Sequence, residues 1–512
     1  MSASASKRKR KELDEQGLSP KTIAEKQAKE SKSKTMKNVL IVALVVLVAA
    51  AAVFGVISLV NAPSYDTSAA VATVGSEKVT VPVYDCFYNL NASNFYNNYS
   101  FLIQTGTPLS QQNSFFGTGT MEDYLIESTN TSLQEVLNVV AKARENNFQL
   151  SDEQKAAVKE ALSSAETEAK NYGFTSVDKY MKARFGDGCS LDSYEDYLNL
   201  YMLFSGYANQ LSQDFKPSAD ELKAAYEKDP SAYDLVNFTY ISVNAESSKV
   251  EPEKSEEGST DATSATDATA ATESAAPETV YTDEAKETAR KQADAYAEEM
   301  PPTATTVSYN KSTVSSYLSE DIASWLFDAA RKEGDAMVFA RNEENTSYYT
   351  VRFNSRDTND YSLINANIIS ITKDTAEVKE GEQTAQQKRD TLMDSVKEGM
   401  SDEEFAEAVT KLSYSSSTTS VTKSYTVEEI RDYLFDESRK AGDLKAFETD
   451  SAYYVVRYAS TEEESYRDTL VKNALWSEFY NGIASANTIE INKDLLEHAN
   501  TDLTFNANTS ES

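Results

Sequence analysis

Two cysteines, Cys86 and Cys189, and one histidine, His498, are all that this 512-residue chain offers for thiol or imidazole chemistry. Three such residues are too few for a Cys/His zinc cluster, and one histidine removes most histidine-based catalysis. The cysteines have two readings, one disulfide in an oxidising compartment or two free buried thiols. No glycine-rich phosphate loop and no metal-ligand spacing stands out, and the many Asp/Glu pairs read as solvated helix faces. No cofactor and no metal are expected. A second group is aromatic: Tyr84, Phe87, Tyr88, Phe95 and Tyr99 recur at helical spacing. Such a stripe usually packs in a core. Its other reading is a sticky apolar surface for client chains, which makes these five the candidate substrate-binding residues.

The elements that position these groups are organised around a duplication. Ser316–Asp335 (SYLSEDIASWLFDAARKEGD) recurs 108 residues later as Ser424–Asp443 (SYTVEEIRDYLFDESRKAGD), with eleven of twenty positions identical. Each copy runs on into a strand-like segment, Tyr348–Phe353 and Tyr453–Tyr458. Each is preceded by an apolar strand, Val236–Val243 and Ile364–Ile371. The spacing predicts two tandem domains of the order strand, helices, short helix, Gly-Asp turn, strand. The first spans 231–357 and the second 358–460. The stretch 247–279 is rich in Ser, Thr, Ala and acid, has no aromatic residue, and reads as a disordered insertion in the first repeat.

Before the repeats, Ala70–Val81 alternates around Gly75-Ser76 as a small hairpin, and 70–230 is otherwise helical in pattern. Ser151-x-x-Gln154 and Ser218-x-x-Glu221 are capping boxes. After the repeats, 461–498 reads as a long helix followed by a short strand and helix, and 499–512 as a frayed tail. The first 37 residues hold a net charge of +6 in a chain whose total is −33. An acidic body argues against nucleic acid as a partner. Val39–Val60 is 22 residues without a charge, long enough to cross a bilayer as a helix. The basic flank, 1–38, then lies in the cytoplasm and the body outside, joined by a tether at 61–69. The expected fold class is thus α+β with an N-terminal transmembrane helix, and the expected place a single-pass position in the cell membrane.

This order resembles the PrsA/SurA-type extracytoplasmic foldases with parvulin-like peptidyl-prolyl isomerase domains. Three pieces carry the resemblance: the hairpin Val71–Thr80, the segment Phe327-Asp328-x-x-Arg331-Lys332-x-Gly334-Asp335 with its copy, and Gly399–Ser413. It implies a mainly helical chaperone-like domain, two parvulin-like α+β domains, and a C-terminal helix that packs back on the helical domain. It also implies unfolded or secreted chains as partners. The family's two histidines fall at Thr239 and Tyr349 in the first repeat and at Asn367 and Tyr454 in the second. Both repeats therefore read as catalytically degenerate, and the chain as a folding factor. The other readings are an isomerase using non-histidine donors and an envelope scaffold for one partner.

Overall fold

The structure is a computed structural model and describes residues 64–250, 278–376, 378–379 and 381–506. The basic tail, the apolar stretch 39–60, residues 251–277 of the insertion and residues 507–512 lie outside the described residues. Among the described residues no helix is long and apolar enough to cross a membrane. The longest, Met121–Glu145, has the length for a crossing but carries charged residues from Glu122 to Glu145. The fold class is corrected accordingly: the described residues form an α+β chain of 14 α-helices and antiparallel sheets, with no helix among them long and apolar enough to cross a membrane. The chain divides into two compact units. One comprises the residues up to Lys216 together with Trp476 onward, the other Pro217–Leu475.

In the first unit β1 (Ala70–Val74) and β2 (Glu77–Thr80) form the hairpin. Gly75 takes φ +58° at its turn, a conformation that glycine adopts without steric cost. Five helices follow: α1 (Val81–Tyr99), α2 (Met121–Glu145), α3 (Asp152–Asn171), α4 (Val177–Phe185) and α5 (Leu191–Asp214). Thr120, Ser151 and Ser190 start α2, α3 and α5 with capping boxes that satisfy otherwise orphaned N–H groups. Their shared core joins Tyr84 and Tyr88 of α1, Leu125, Leu133 and Leu137 of α2, and Tyr194, Tyr197 and Leu198 of α5.

The second unit holds α6 (Ala219–Lys228) and both repeats. The first repeat runs β3 (Leu235–Asn244), β4 (Ser248–Val250), β5 (Glu278–Val280), α7 (Asp283–Glu298), β6 (Thr305–Tyr309), α8 (Lys311–Tyr317), α9 (Glu320–Leu326), β7 (Ala336–Ala340) and β8 (Ser347–Asp357). The second runs β9 (Ser362–Thr372), α10 (Ala385–Ser395), α11 (Asp402–Lys411), β10 (Thr418–Val421), α12 (Glu428–Leu434), β11 (Leu444–Glu448) and β12 (Ala452–Ser465). Their sheets have the same strand order, β6-β3-β8-β7 and β10-β9-β12-β11. At the ends of the stretch expected to lack structure, β4 and β5 pair antiparallel, Ser248 opposite Val280.

The duplicated sequence is duplicated hydrogen bond for hydrogen bond. Gly334 and Gly442 sit at φ +87° and +92°. Their amides donate to the carbonyls of Phe353 and Tyr458, whose amides donate back to Asp335 and Asp443. The carboxylates of Asp335 and Asp443 accept from the amides of Lys332 and Lys440, each at 3.0 Å. Arg331 lies over Trp325 and Arg439 over Tyr433, and these rings meet Phe339 and Phe447 edge-on. The repeats differ on one sheet face. In the second repeat α10 and α11 supply Leu392, Phe405 and Val409 to a core with Ile369, Ile371 and Val455. In the first, α7 alone supplies Ala289 and Ala293.

The chain end departs from expectation twice. Strand β12 continues to Ser465, so α13 (Tyr466–Ala484) begins later than the helix expected from 461. Its last residues, from Trp476, belong to the first unit, where Tyr480 and Ile483 pack with Val139, Ala143 and Tyr207. A short strand, β13 (Glu490–Ile491), then pairs with β1, and α14 (Lys493–Leu496) follows. Residues 499–506, expected to fray, form an ordered strap. Leu503 and Phe505 alternate into the core, while their carbonyls accept from the amides of Leu109 and Gly106. Burial of two apolar side chains with paired backbone offsets the cost of ordering the segment.

Candidate functional site

The four positions that the resemblance singles out in the repeats do not converge. In the β3/β8 register Thr239 lies opposite Arg352, and Tyr349 opposite Ser242. Thr239 and Ser242 are three apart on one strand, so Thr239 and Tyr349 point to opposite faces of the sheet. The same parity separates Asn367, opposite Arg457, from Tyr454, opposite Ser370. Each side chain is engaged where it stands. The Thr239 hydroxyl meets that of Thr306 at 2.8 Å and accepts from the Asn354 amide at 3.0 Å. Tyr349 lies under the Arg341 guanidinium, 4.4 Å from ring centre to Cζ, and beside Tyr240. The Asn367 amide donates to the carbonyls of Ser416 and Ser417 and to Thr418, and its oxygen accepts from Arg457 at 3.2 Å. Tyr454 lies opposite Phe447 in the β11/β12 register and packs on the cluster that includes Phe447 and Val456. Asn367 and Arg457 thus fasten a loop and a helix start rather than face a substrate, and Arg457 also holds the Met400 carbonyl and Asp402.

The aromatic stripe of α1 divides along the helix. Tyr84 and Tyr88 are buried, with hydroxyls donating to Asn130 and to the Thr501 carbonyl. Burial raises both pKa values by penalising the phenolate. Phe87 meets Tyr197 edge-on at 4.7 Å. These three belong to the core. Phe95 and Tyr99, at the other end, open onto a surface.

That surface contains rings outside the stripe. Phe95 lies 5.2 Å from Tyr99, 5.7 Å from Tyr124 and 6.1 Å from Phe116. Phe116 stacks on Tyr124 at 4.6 Å, and Tyr99 meets Phe101 at 6.5 Å. Tyr99, Phe101, Phe115 and Phe116 are 48%, 80%, 67% and 53% exposed, far more than large apolar rings in contact with one another require. The backbone that presents them is fixed. Gln112, buried, accepts from the amide of Gln104 and donates to the carbonyls of Gln104 and Thr107. Ser114 donates to the Gly119 carbonyl, closing the loop that carries Phe115 and Phe116 at its tip.

No family model matches the chain, and no curated protein matches it. The geometry of the patch is therefore what bears on function. Phe101, Phe115, Phe116 and Tyr124 have no helical spacing with the stripe, which is why periodicity passes them over. A compositional signal does mark the three phenylalanines: from Cys86 to Met121 the chain has no charged residue over 36 positions, although a quarter of all its residues are charged.

A separate cleft of about 320 Å³ in the first unit is lined by Lys78, Thr80, Val83, Arg144, Asp196 and Leu203 among others. Its carboxyl, Asp196, is held above the usual range by burial and by Asp192, and Arg144 is engaged by Glu77. Among the described residues no group of three or more His, Cys, Asp or Glu is placed to hold a metal ion.

Proposed function

We propose that this protein is a folding factor that binds unfolded polypeptide chains, those of secreted proteins among them, on the aromatic patch of its first unit. The single observation that carries the reading is the exposure of Tyr99, Phe101, Phe115 and Phe116 beside the half-buried Phe95 and Tyr124, all but Tyr124 in a segment without charge. Six neighbouring rings offer adaptable apolar contact without selecting a charge pattern, which suits clients that share only exposed apolar side chains. The hydrogen bonds around Gln112 order the loop in advance, so binding does not have to supply that ordering. The repeats serve in this reading as a scaffold, as the resemblance to foldases with degenerate parvulin-like domains implies. Prolyl isomerisation needs donors gathered around one twisted amide. The opposite facing of Thr239 and Tyr349, and of Asn367 and Tyr454, does not favour it.

The test is aggregation of a chemically unfolded client, followed by light scattering at equimolar protein. The parent chain suppresses scattering. The triple variant Phe101→Ser/Phe115→Ser/Phe116→Ser loses most of that suppression while keeping its far-UV dichroism and melting temperature, because the three rings are exposed. Equal suppression by parent and variant would sink the assignment to this patch, and none by the parent would sink the function.

A further inference from the structure

The chain's two cysteines meet. Cys86 lies on α1 and Cys189 immediately before α5, 103 positions later, and neither is exposed. The Cys189 sulfur lies 3.5 Å from the carbonyl oxygen of Pro82 and 3.9 Å from Oδ2 of Asp85. Pro82 is one helical turn before Cys86, and a side chain on a helix leans over the turn N-terminal to its own Cα. Both thiols therefore occupy one small space over the first turns of α1, where the neighbouring Cys86 thiol, with burial, pushes the Cys189 pKa up. The surroundings close the space off. Tyr65 donates to the Asp187 carbonyl and stacks on His498 at 4.9 Å. The Asn500 amide donates to Asp85 at 2.8 Å.

We propose that Cys86 and Cys189 are a cross-linking site, joined by a disulfide as the first unit folds in an oxidising compartment. The oxidant is a low-molecular-weight disulfide such as glutathione disulfide. One cysteine thiolate attacks it, forming a mixed disulfide and releasing one glutathione. The second cysteine thiolate then attacks the protein sulfur of that mixed disulfide and releases the other glutathione. Two protein thiols lose two protons and two electrons, and one glutathione disulfide becomes two glutathione thiols. Burial dictates the timing: in the folded reduced chain an oxidant cannot reach either sulfur, so the exchange belongs to the folding chain. The bond would close a loop of about a hundred residues, which restricts the unfolded chain strongly. It would tie α1, base of the aromatic patch, to the start of α5. The placement does not rest on the proposed function, since it uses neither the patch nor the repeats.

The experiment refolds the full reduced chain from denaturant in a glutathione couple poised at about −180 mV. The sample is then acid-quenched, treated with a maleimide in denaturant, and weighed by mass spectrometry. The expected product is a monomer two hydrogen atoms lighter than the reduced chain, without maleimide. Its digest contains the Cys86 peptide joined to the Cys189 peptide, and it melts several degrees above the chain refolded with reductant. A product carrying two maleimides, a glutathione adduct or a disulfide-linked dimer would overturn the proposal.

Discussion

Asp85 is the residue whose placement departs most from what its type prefers. It lies wholly buried in α1, accepting from the Asn500 amide beside the Cys189 thiol. Burial raises its pKa well above the ordinary carboxyl range, more than the Asn500 bond lowers it. Between the unfolded value, near 4, and the raised folded value, the native state binds more protons than the unfolded state. Stability therefore falls as pH rises through that window, and no further above it. Asp85→Asn keeps an acceptor for Asn500 without the titration. Its melting temperature should exceed the parent's at about pH 8, with the difference closing as pH falls towards 4. Melts of the two proteins across that range check this. Asp66 and Asp123, lowered by their hydrogen bonds to Ser68 and Thr120, add the opposite slope, but it is common to both proteins and cancels. A difference independent of pH would show that Asp85 does not titrate in this way.

At the scale of elements, the duplication allows one substitution to be compared in two settings. Gly334 and Gly442 hold the same left-handed turn. A Cβ at Gly334 would meet nothing within 4 Å, whereas one at Gly442 would stand 2.9 Å from the backbone Cα of Gly399, just before α11. Gly334→Ala should cost about 1–2 kcal/mol, the strain of a left-handed alanine. Gly442→Ala should cost clearly more, because backbone must also move. Urea unfolding checks this through Trp325, which belongs to the second unit, in a Trp476→Phe background. Equal losses would mean that Gly399 gives way freely. The sequence shows the two Gly-Asp turns as equivalent. It does not show the difference, which arises because the second repeat has α11 where the first has no such helix.

For the whole molecule the contrast is between a strongly acidic chain, net −33, and an uncharged aromatic patch. If apolar contact carries client binding, salt should not weaken it. Raising NaCl from about 0.05 to 0.5 M shortens the screening length, and sulfate strengthens apolar association. The expected result is client suppression unchanged in NaCl and improved in sodium sulfate, read by the same light-scattering assay. A tenfold loss in NaCl would assign the binding to charge instead.

Local signals were legible in the sequence where chemistry acts over a few residues. The hairpin at Gly75, the caps at Ser151 and Ser218, and the paired Gly-Asp turns are formed by the residues that announce them. The duplicated strand order follows from the duplicated sequence. What depends on partners distant in the chain was not legible. The alternation of a strand assigns faces only once the register is known, and the register separates Thr239 from Tyr349 and Asn367 from Tyr454. Leu503 and Phe505 look like a loose end until α1 and the loop around Gly106–Leu109 supply a groove for them. The aromatic stripe named five residues by period. Tertiary packing drew Tyr84, Phe87 and Tyr88 into the core and left Phe95 and Tyr99 beside Phe101, Phe115 and Phe116. Composition announces a charge-free segment, but only the fold determines which of its rings meet water, because exposure is a property of neighbours and not of residue type.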